Sequence, residues 1–189
     1  MYQKYCTEAI VLSMRESGES DQALALLTRD FGLVWARAGA MRREYSKMRY
    51  SLQLYAHASV SLVRGKANWR AAGASCSTPA LRGESLRAFA RIAHLVVRLV
   101  VGEERSDYLF EAVLQAHASL LHAGDEMIPT IEIVAVARIL FALGYISAEA
   151  LETTLFAHTA YSFDHLHEAE MIRDNLLISI NRALAETHL

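Results

Sequence analysis

The densest run of chemically capable side chains lies between residues 37 and 49. Arg37, Arg42, Arg43, Lys47 and Arg49 supply five cations there, opposed only by Glu44. Cations at this density can neutralise phosphates and release the counterions condensed on a nucleic acid. The resulting affinity is independent of base sequence and weakens steeply with salt. The plain alternative is a solvated charged loop. Tyr45 and Tyr50 fall in the same stretch. Just upstream, Trp35 and Arg37 are two residues apart, so on a strand they share one face, opposite Val34, Ala36 and Ala38. An aromatic ring beside an arginine can stack on an unpaired base, although Trp35 could instead cover a seam between domains. Arg64, Lys66, Trp69 and Arg70 form a second cationic and aromatic group. No recognition-helix or finger pattern is visible, so sequence-independent binding is expected.

A third constellation is Arg87, Arg91, His94 and Arg98, spaced i, i+4, i+7 and i+11, which puts all four on one helical face. An acidic peptide ending in an apolar residue would need such a stripe beside a hydrophobic pocket. The duller reading has these arginines salt-bridged to acidic helices or packed on a neighbouring domain.

Other chemistry is missing from the pattern. There is no Gly-rich phosphate loop, GxSxG elbow, HExxH or Cys-x-x-Cys. His158, His165 and His167 lie near one another in sequence, as do His117 and His122, but a metal site needs spatial convergence. On a helix His165 and His167 point to different faces, so surface or capping histidines are expected. Cys6 and Cys76 are too few for a disulfide framework or a cysteine zinc site. No catalytic residue, metal or cofactor is expected, and the chain is not read as an enzyme.

Two kinds of element must position these groups. Up to about residue 75 the apolar period is two. Ile10, Leu12 and Met14 alternate with Val11, Ser13 and Arg15, and Leu52, Leu54, Ala56, Ala58, Val60 and Leu62 predict one long strand. Shorter strands fit 22–28, 33–38 and 67–74, separated by turn residues around Gly18, Gly32 and Gly65. Five short strands suit a small closed barrel, which leaves no exposed edges. After Pro79 the period becomes helical. Helices are predicted from Leu86 to Val100, Ser106 to Ala123 and Pro129 to Leu143, then a short one capped by Ser147 and a last one from Phe163 to Thr187. The Pro129 helix is apolar nearly all round and is expected at the centre of a bundle. The division falls at residues 1–78 and 79–189.

With 53% hydrophobic and 21% charged residues the chain describes an ordered globular protein. No apolar run approaches the roughly 18 residues of a membrane span, and the first residues lack a signal-like apolar stretch. The expected location is the cytoplasm, with no membrane partner. Residues 1–79 carry 11 Lys and Arg against 6 Asp and Glu, for +5, while residues 80–189 carry 8 against 15, for −7. A basic front half suits a polyanionic partner.

The order and spacing of Thr7-Glu8-Ala9-Ile10-Val11-Leu12, Gly18-Glu19-Ser20-Asp21 and Leu26-Leu27-Thr28-Arg29-Asp30-Phe31-Gly32-Leu33 resemble the N-terminal domain of the bacterial RecO family. Ala38-Gly39-Ala40-Met41-Arg42-Arg43, Ser46-Lys47-Met48-Arg49 and Leu52-Gln53-Leu54 extend the match, and Leu140-Phe141-Ala142-Leu143-Gly144-Tyr145 adds a weaker one in the helical half. The resemblance implies an all-β plus all-α chain, an OB-fold barrel of five strands followed by a helical-bundle domain. It implies binding to single- and double-stranded DNA, strand annealing, and help in loading recombinase on strands coated by the single-strand-binding protein SSB, within DNA repair at the nucleoid. SSB's acidic C-terminal tail and RecR are the implied partners. Many family members carry a four-cysteine zinc site after the Leu-Gly-Tyr motif, but residues 146–162 contain no cysteine here, so no zinc is expected. The alternative is a protein-protein adaptor of the same fold that has lost direct DNA binding.

Overall fold

A computed structural model describes residues 3–39, 41, 47–65, 68–76 and 78–187. The chain forms two compact units, one of Met1–Ala80 with Val100–Asp107 and one of Leu81–Leu99 with Tyr108–Leu189.

In the first unit β1 (Lys4–Ser17), β2 (Asp21–Thr28), β3 (Gly32–Ala38), β4 (His57–Arg64) and β5 (Trp69–Cys76) close into a barrel in the order β1-β2-β3-β5-β4, with α1 (Lys47–Ser51) between β3 and β4. This is the OB fold. Every pairing is antiparallel except that of β3 with β5, which runs parallel through Ala36↔Trp69, Arg37↔Arg70 and Ala38↔Ala71. Alternation along each strand turns Ala9, Val11, Leu24, Leu26, Val34, Ala36, Val60, Leu62 and Trp69 into one core cluster. Each large side chain buried there contributes roughly 1.5–3 kcal/mol.

Two strand readings change. The regular alternation expected through Ile10, Leu12 and Met14 is interrupted by a register shift in β1 between Val11 and Ser13. Ahead of the bulge Ala9 and Val11 face the core; past it Met14 packs there. A bulge inserts one unpaired residue and so reverses the parity of the pattern. The long strand expected from Leu52 starts only at His57. Leu52 follows α1, its amide donating to the Met48 carbonyl at 2.8 Å, and Tyr55 turns the chain with φ 65°. The Tyr55 amide then donates to the Val11 carbonyl at 2.8 Å, and the Val11 amide to the Ala56 carbonyl at 3.0 Å, which fastens this turn to the bulge.

The turn from β2 to β3 is built by Thr28, whose hydroxyl donates to the Gly32 carbonyl at 2.8 Å and accepts from the Phe31 amide at 3.0 Å. Gly32 has φ +65°, and a Cβ placed on it would stand 2.1 Å from the Glu104 carbonyl oxygen. Segment 100–107 therefore lies directly on the barrel at Gly32, where a side chain would overlap its backbone.

The second unit contains α2 (Gly83–Leu99), α3 (Asp107–His122), α4 (Ile128–Ala142), α5 (Ala148–Leu151), α6 (Phe163–Met171) and α7 (Arg173–Glu186). The apolar α4 packs against α2, α6 and α7. The single closing helix expected over 163–187 is interrupted at Ile172 (φ −109°, ψ 17°). The stripe stays in phase across the break, with Leu166 and Ala169 before it and Leu176, Ile180 and Ala183 after it all buried. Among the described residues no helix is long and apolar enough to cross a membrane.

Arg138 on α4 is fully buried. Its Nε donates to the Leu155 carbonyl at 3.0 Å, Nη1 to Thr159 at 2.8 Å and Nη2 to Ala160 at 3.0 Å, and its guanidinium lies 4.6 Å from the Tyr161 ring centroid. Burial pushes the Tyr161 hydroxyl well above the usual phenol range. One side chain thus organises the segment after α5, and no group of three or more metal-ligating side chains occurs among the described residues.

Gly32→Ala is expected to lower the stability of the chain by about 2 kcal/mol or more, from the left-handed backbone and the overlap with Glu104. Urea unfolding followed by tryptophan emission measures it, and a loss below about 0.5 kcal/mol would show that segment 100–107 does not bear on Gly32.

Candidate nucleic-acid interface

The barrel register lines up cations that are far apart in sequence. Arg15 on β1 stands opposite Ala23 on β2, Ala23 opposite Arg37 on β3, and Arg37 beside Arg70 on β5. All three arginines are exposed. Successive strands are about 4.8 Å apart, so one row of outward side chains crosses four strands with only a methyl group interrupting it. Trp35 lies one step along the same outer face. Its ring is 40% exposed, and the Arg15 guanidinium sits 5.2 Å from its centroid. Arg15 is absent from the sequence-derived set. Simple alternation already sets it opposite Met14 and so outward, but its alignment with Arg37 across β2 is a matter of strand register, which alternation does not reveal.

The members of the row differ in how their charge is met. Arg37 Nε donates to Asp21 at 2.8 Å, and its Nη2 is equally close to the same carboxylate. Arg15 and Arg70 form no ion pair among the described residues. Ligand surfaces of OB barrels use the strand 2–3 face and the loops joining strands 1–2 and 4–5. The β3 side chains Trp35 and Arg37 lie on that face, and Arg64 and Arg70 flank the β4–β5 hairpin.

Of the remaining cations, Arg49 on α1 is exposed and lines an open groove of about 880 Å³ with Met14, Gln22, Met41, Tyr50, Leu52, Gln53 and Leu54. Tyr50 is 65% exposed at its edge. Lys47 opens α1, and its side chain lies outside the described residues, as do Arg42, Arg43, Tyr45 and Lys66.

Trp69 differs from its sequence reading as part of an aromatic platform. It is only 2% exposed and packs in the core against Tyr5 and Phe31, with ring centroids 5.7 and 5.1 Å away. Its parallel pairing with Ala36 turns it inward, because Arg70 is the residue that faces out. The indole Nε1 donates to Glu103 at 2.9 Å, and the other oxygen of that carboxylate lies 3.4 Å from Arg64 Nη2. Arg64 also lies over the indole, 5.1 Å from its centroid. Segment 100–107 thus contributes an acidic residue that satisfies a buried donor and offsets one cation of the hairpin.

On the helical unit Arg87, Arg91, His94 and Arg98 are exposed on α2. Arg87 pairs with Glu84. Arg91 makes two hydrogen bonds of 2.6 Å to the Glu132 carboxylate, which hold its guanidinium above its ordinary value. His94 and Arg98 form no ion pair among the described residues. Arg91, His94 and Arg98 rim an open groove of about 420 Å³ floored by Ala90, Leu95 and Leu184. The stripe is therefore exposed and borders an apolar groove, while two of its arginines are also internally paired.

Cys6 and Cys76 are free and exposed. They stand opposite Ser61 and Ala58 of β4 respectively, three residues apart along that strand and on either side of it.

Residues 1–70 match the family model described as Recombination protein O N terminal. A protein named DNA repair protein RecO from a strain of Dehalococcoides mccartyi is 43% identical over 61 residues, covering 32% of this chain and 24% of that protein. Another of the same name from Desulfitobacterium hafniense is 39% identical over 62 residues, covering 33% and 23%. The aligned stretch thus spans about a quarter of the length of these curated relatives.

Glu103→Ala strips the buried Trp69 indole of its acceptor and is expected to destabilise the chain by about 1–3 kcal/mol. The check is the urea midpoint read from tryptophan emission. An unchanged midpoint would mean that another group satisfies the indole.

Proposed function

We propose that this chain, whose N-terminal barrel belongs to the RecO family, binds single- and double-stranded DNA without regard to base sequence. In this reading it anneals strands and acts as a recombination mediator in DNA repair, helping recombinase to load on SSB-coated DNA. The observation that carries the reading is the row Arg15, Arg37 and Arg70 beside exposed Trp35, on the face that OB barrels use for oligonucleotides. Cations in a row at strand spacing can follow a phosphate backbone. Arg49 on α1 and Arg64 on β4 add to them, and Arg42, Arg43, Tyr45, Lys47 and Lys66 are the further contacts proposed from the sequence. Binding of this kind draws its free energy from counterion release, which is blind to sequence. The basic barrel region 1–78 is the DNA-contacting part in this reading, and the acidic region 79–189 the partner-facing part. The name of the curated relatives, DNA repair protein RecO, agrees with it over the stretch they share.

The experiment is fluorescence anisotropy of a labelled single-stranded oligonucleotide across a salt series, with the wild-type chain and an Arg42/Arg43/Lys47→Ala triple variant. The expected result is a steep negative slope of log affinity against log salt, reduced in magnitude by about 2 in the variant if three phosphate contacts are lost. A folded wild-type chain that binds no DNA at low salt would sink the reading and leave a RecO-fold adaptor with protein partners only.

The groove on α2 favours a second, compatible role. We propose that it receives an acidic peptide with an apolar terminal residue, the chemistry of the SSB tail, with Arg98 and Arg91 meeting its carboxylates and Leu95 and Leu184 its side chain. A labelled peptide of that type is expected to bind the chain and to lose about tenfold in affinity on Arg98→Glu. Equal binding by the variant would remove the groove from consideration.

A further inference from the structure

We infer that Arg15 and Trp35 form a base-stacking subsite that responds to single-stranded DNA and not to duplex. The inference rests on the DNA-binding reading above and assigns to this corner of the barrel the discrimination between the two forms of the ligand.

Three observations carry it. The chain has two tryptophans, and the barrel treats them oppositely: Trp69 is sealed in the core with its nitrogen satisfied, while Trp35 leaves 40% of its surface in solvent. An exposed indole held on a rigid strand is not needed to fill the core, because its neighbours Val34 and Ala36 already do so. Second, Arg15 sits 5.2 Å over that ring and makes no ion pair among the described residues, whereas Arg37 is matched by Asp21 and Arg64 by Glu103. Its charge is held beside an aromatic surface and remains available to a phosphate. Third, the register brings Arg37 and Arg70 onto the same row, so backbone-neutralising groups stand next to the ring.

The selectivity follows from what each form of DNA presents. An unpaired strand offers the flat face of each base, which can stack on an indole or on a guanidinium plane. In a duplex those faces are already stacked, and the outer surface is phosphate and sugar. The arginine row serves both forms, but the Arg15–Trp35 pair adds affinity only where a base is free.

The test uses the intact chain and two probes, a fluorescein-labelled oligothymidine and a blunt duplex of the same length, with Trp35→Ala, Trp35→Phe and Arg15→Ala variants. Trp35→Ala is expected to weaken oligothymidine binding by roughly tenfold while changing duplex binding by less than about twofold. Trp35→Phe should recover most of the loss, since a phenyl ring also stacks, and Arg15→Ala should weaken oligothymidine more than duplex. Wild-type tryptophan emission should fall on adding oligothymidine and hold steady on adding duplex. In Trp35→Phe, where Trp69 alone remains, oligothymidine should leave the emission unchanged. Equal losses on both probes, no loss on oligothymidine, or quenching that persists in Trp35→Phe would each overturn the subsite while leaving the DNA-binding reading standing. A wild-type chain that binds neither probe would remove that reading and this inference with it.

Discussion

The short parallel seam between β3 and β5 governs the rest of the barrel. Once Ala36, Arg37 and Ala38 are hydrogen-bonded beside Trp69, Arg70 and Ala71, the alternation of two strands is locked together. One pleat sends Trp69, Ala36, Ala38 and Ala71 inward, and the other sends Arg37 and Arg70 outward side by side. Two like charges in adjacent positions repel, and Asp21 offsets this by meeting Arg37. The core therefore fixes which cations reach the outer surface, and their grouping is a by-product of barrel closure as much as of local sequence. The small side chain at Ala23 keeps the row open on its other side, where a longer residue would stand between Arg15 and Arg37.

Much of this was legible in the sequence. The alternation of Val34, Ala36 and Ala38 against Trp35 and Arg37 is simple to read, because β3 pairs regularly along its whole length. The turn residues around Gly18 and Gly32 mark real reversals of the chain, since glycines at φ +83° and +65° occupy backbone that other residues avoid. The helical half was legible for a similar reason. Proline near the start of α4, Gly144 past its end and Ser147 before α5 are local signals whose physics does not depend on distant contacts.

What stayed hidden depends on contacts between remote residues. Nothing near Leu12 announces a bulge, and the inward facing of both Val11 and Met14 depends on it. The apparent strand from Leu52 to Ala56 has a period-two pattern by accident, because a helix end followed by a left-handed Tyr55 happens to alternate. Trp69 looked like a surface aromatic because its neighbours are charged, although the position of Arg70 on the strand already implied that Trp69 faces inward. Arg138 is the strongest case. A lone cation on an otherwise apolar helix gives no hint from composition that three carbonyls of a later segment will surround it. Burying a guanidinium is tolerable only when its donors are matched, and the match is supplied by residues some twenty positions further along the chain.

Segment 100–107 also bears on where this protein can be divided. The barrel unit is discontinuous: the polypeptide leaves it after Ala80, returns at Val100 and departs again after Asp107. The match to the family model ends at residue 70, short of β5's last residues and well short of Glu103 and Glu104. A fragment cut to that boundary would lack six of the eight residues of the strand that closes the barrel, and one cut after residue 80 would lack the carboxylate that receives the Trp69 indole. No single scission separates the two units without taking part of one away, so any grafting, truncation or exchange of the barrel has to carry the α2 stretch with it.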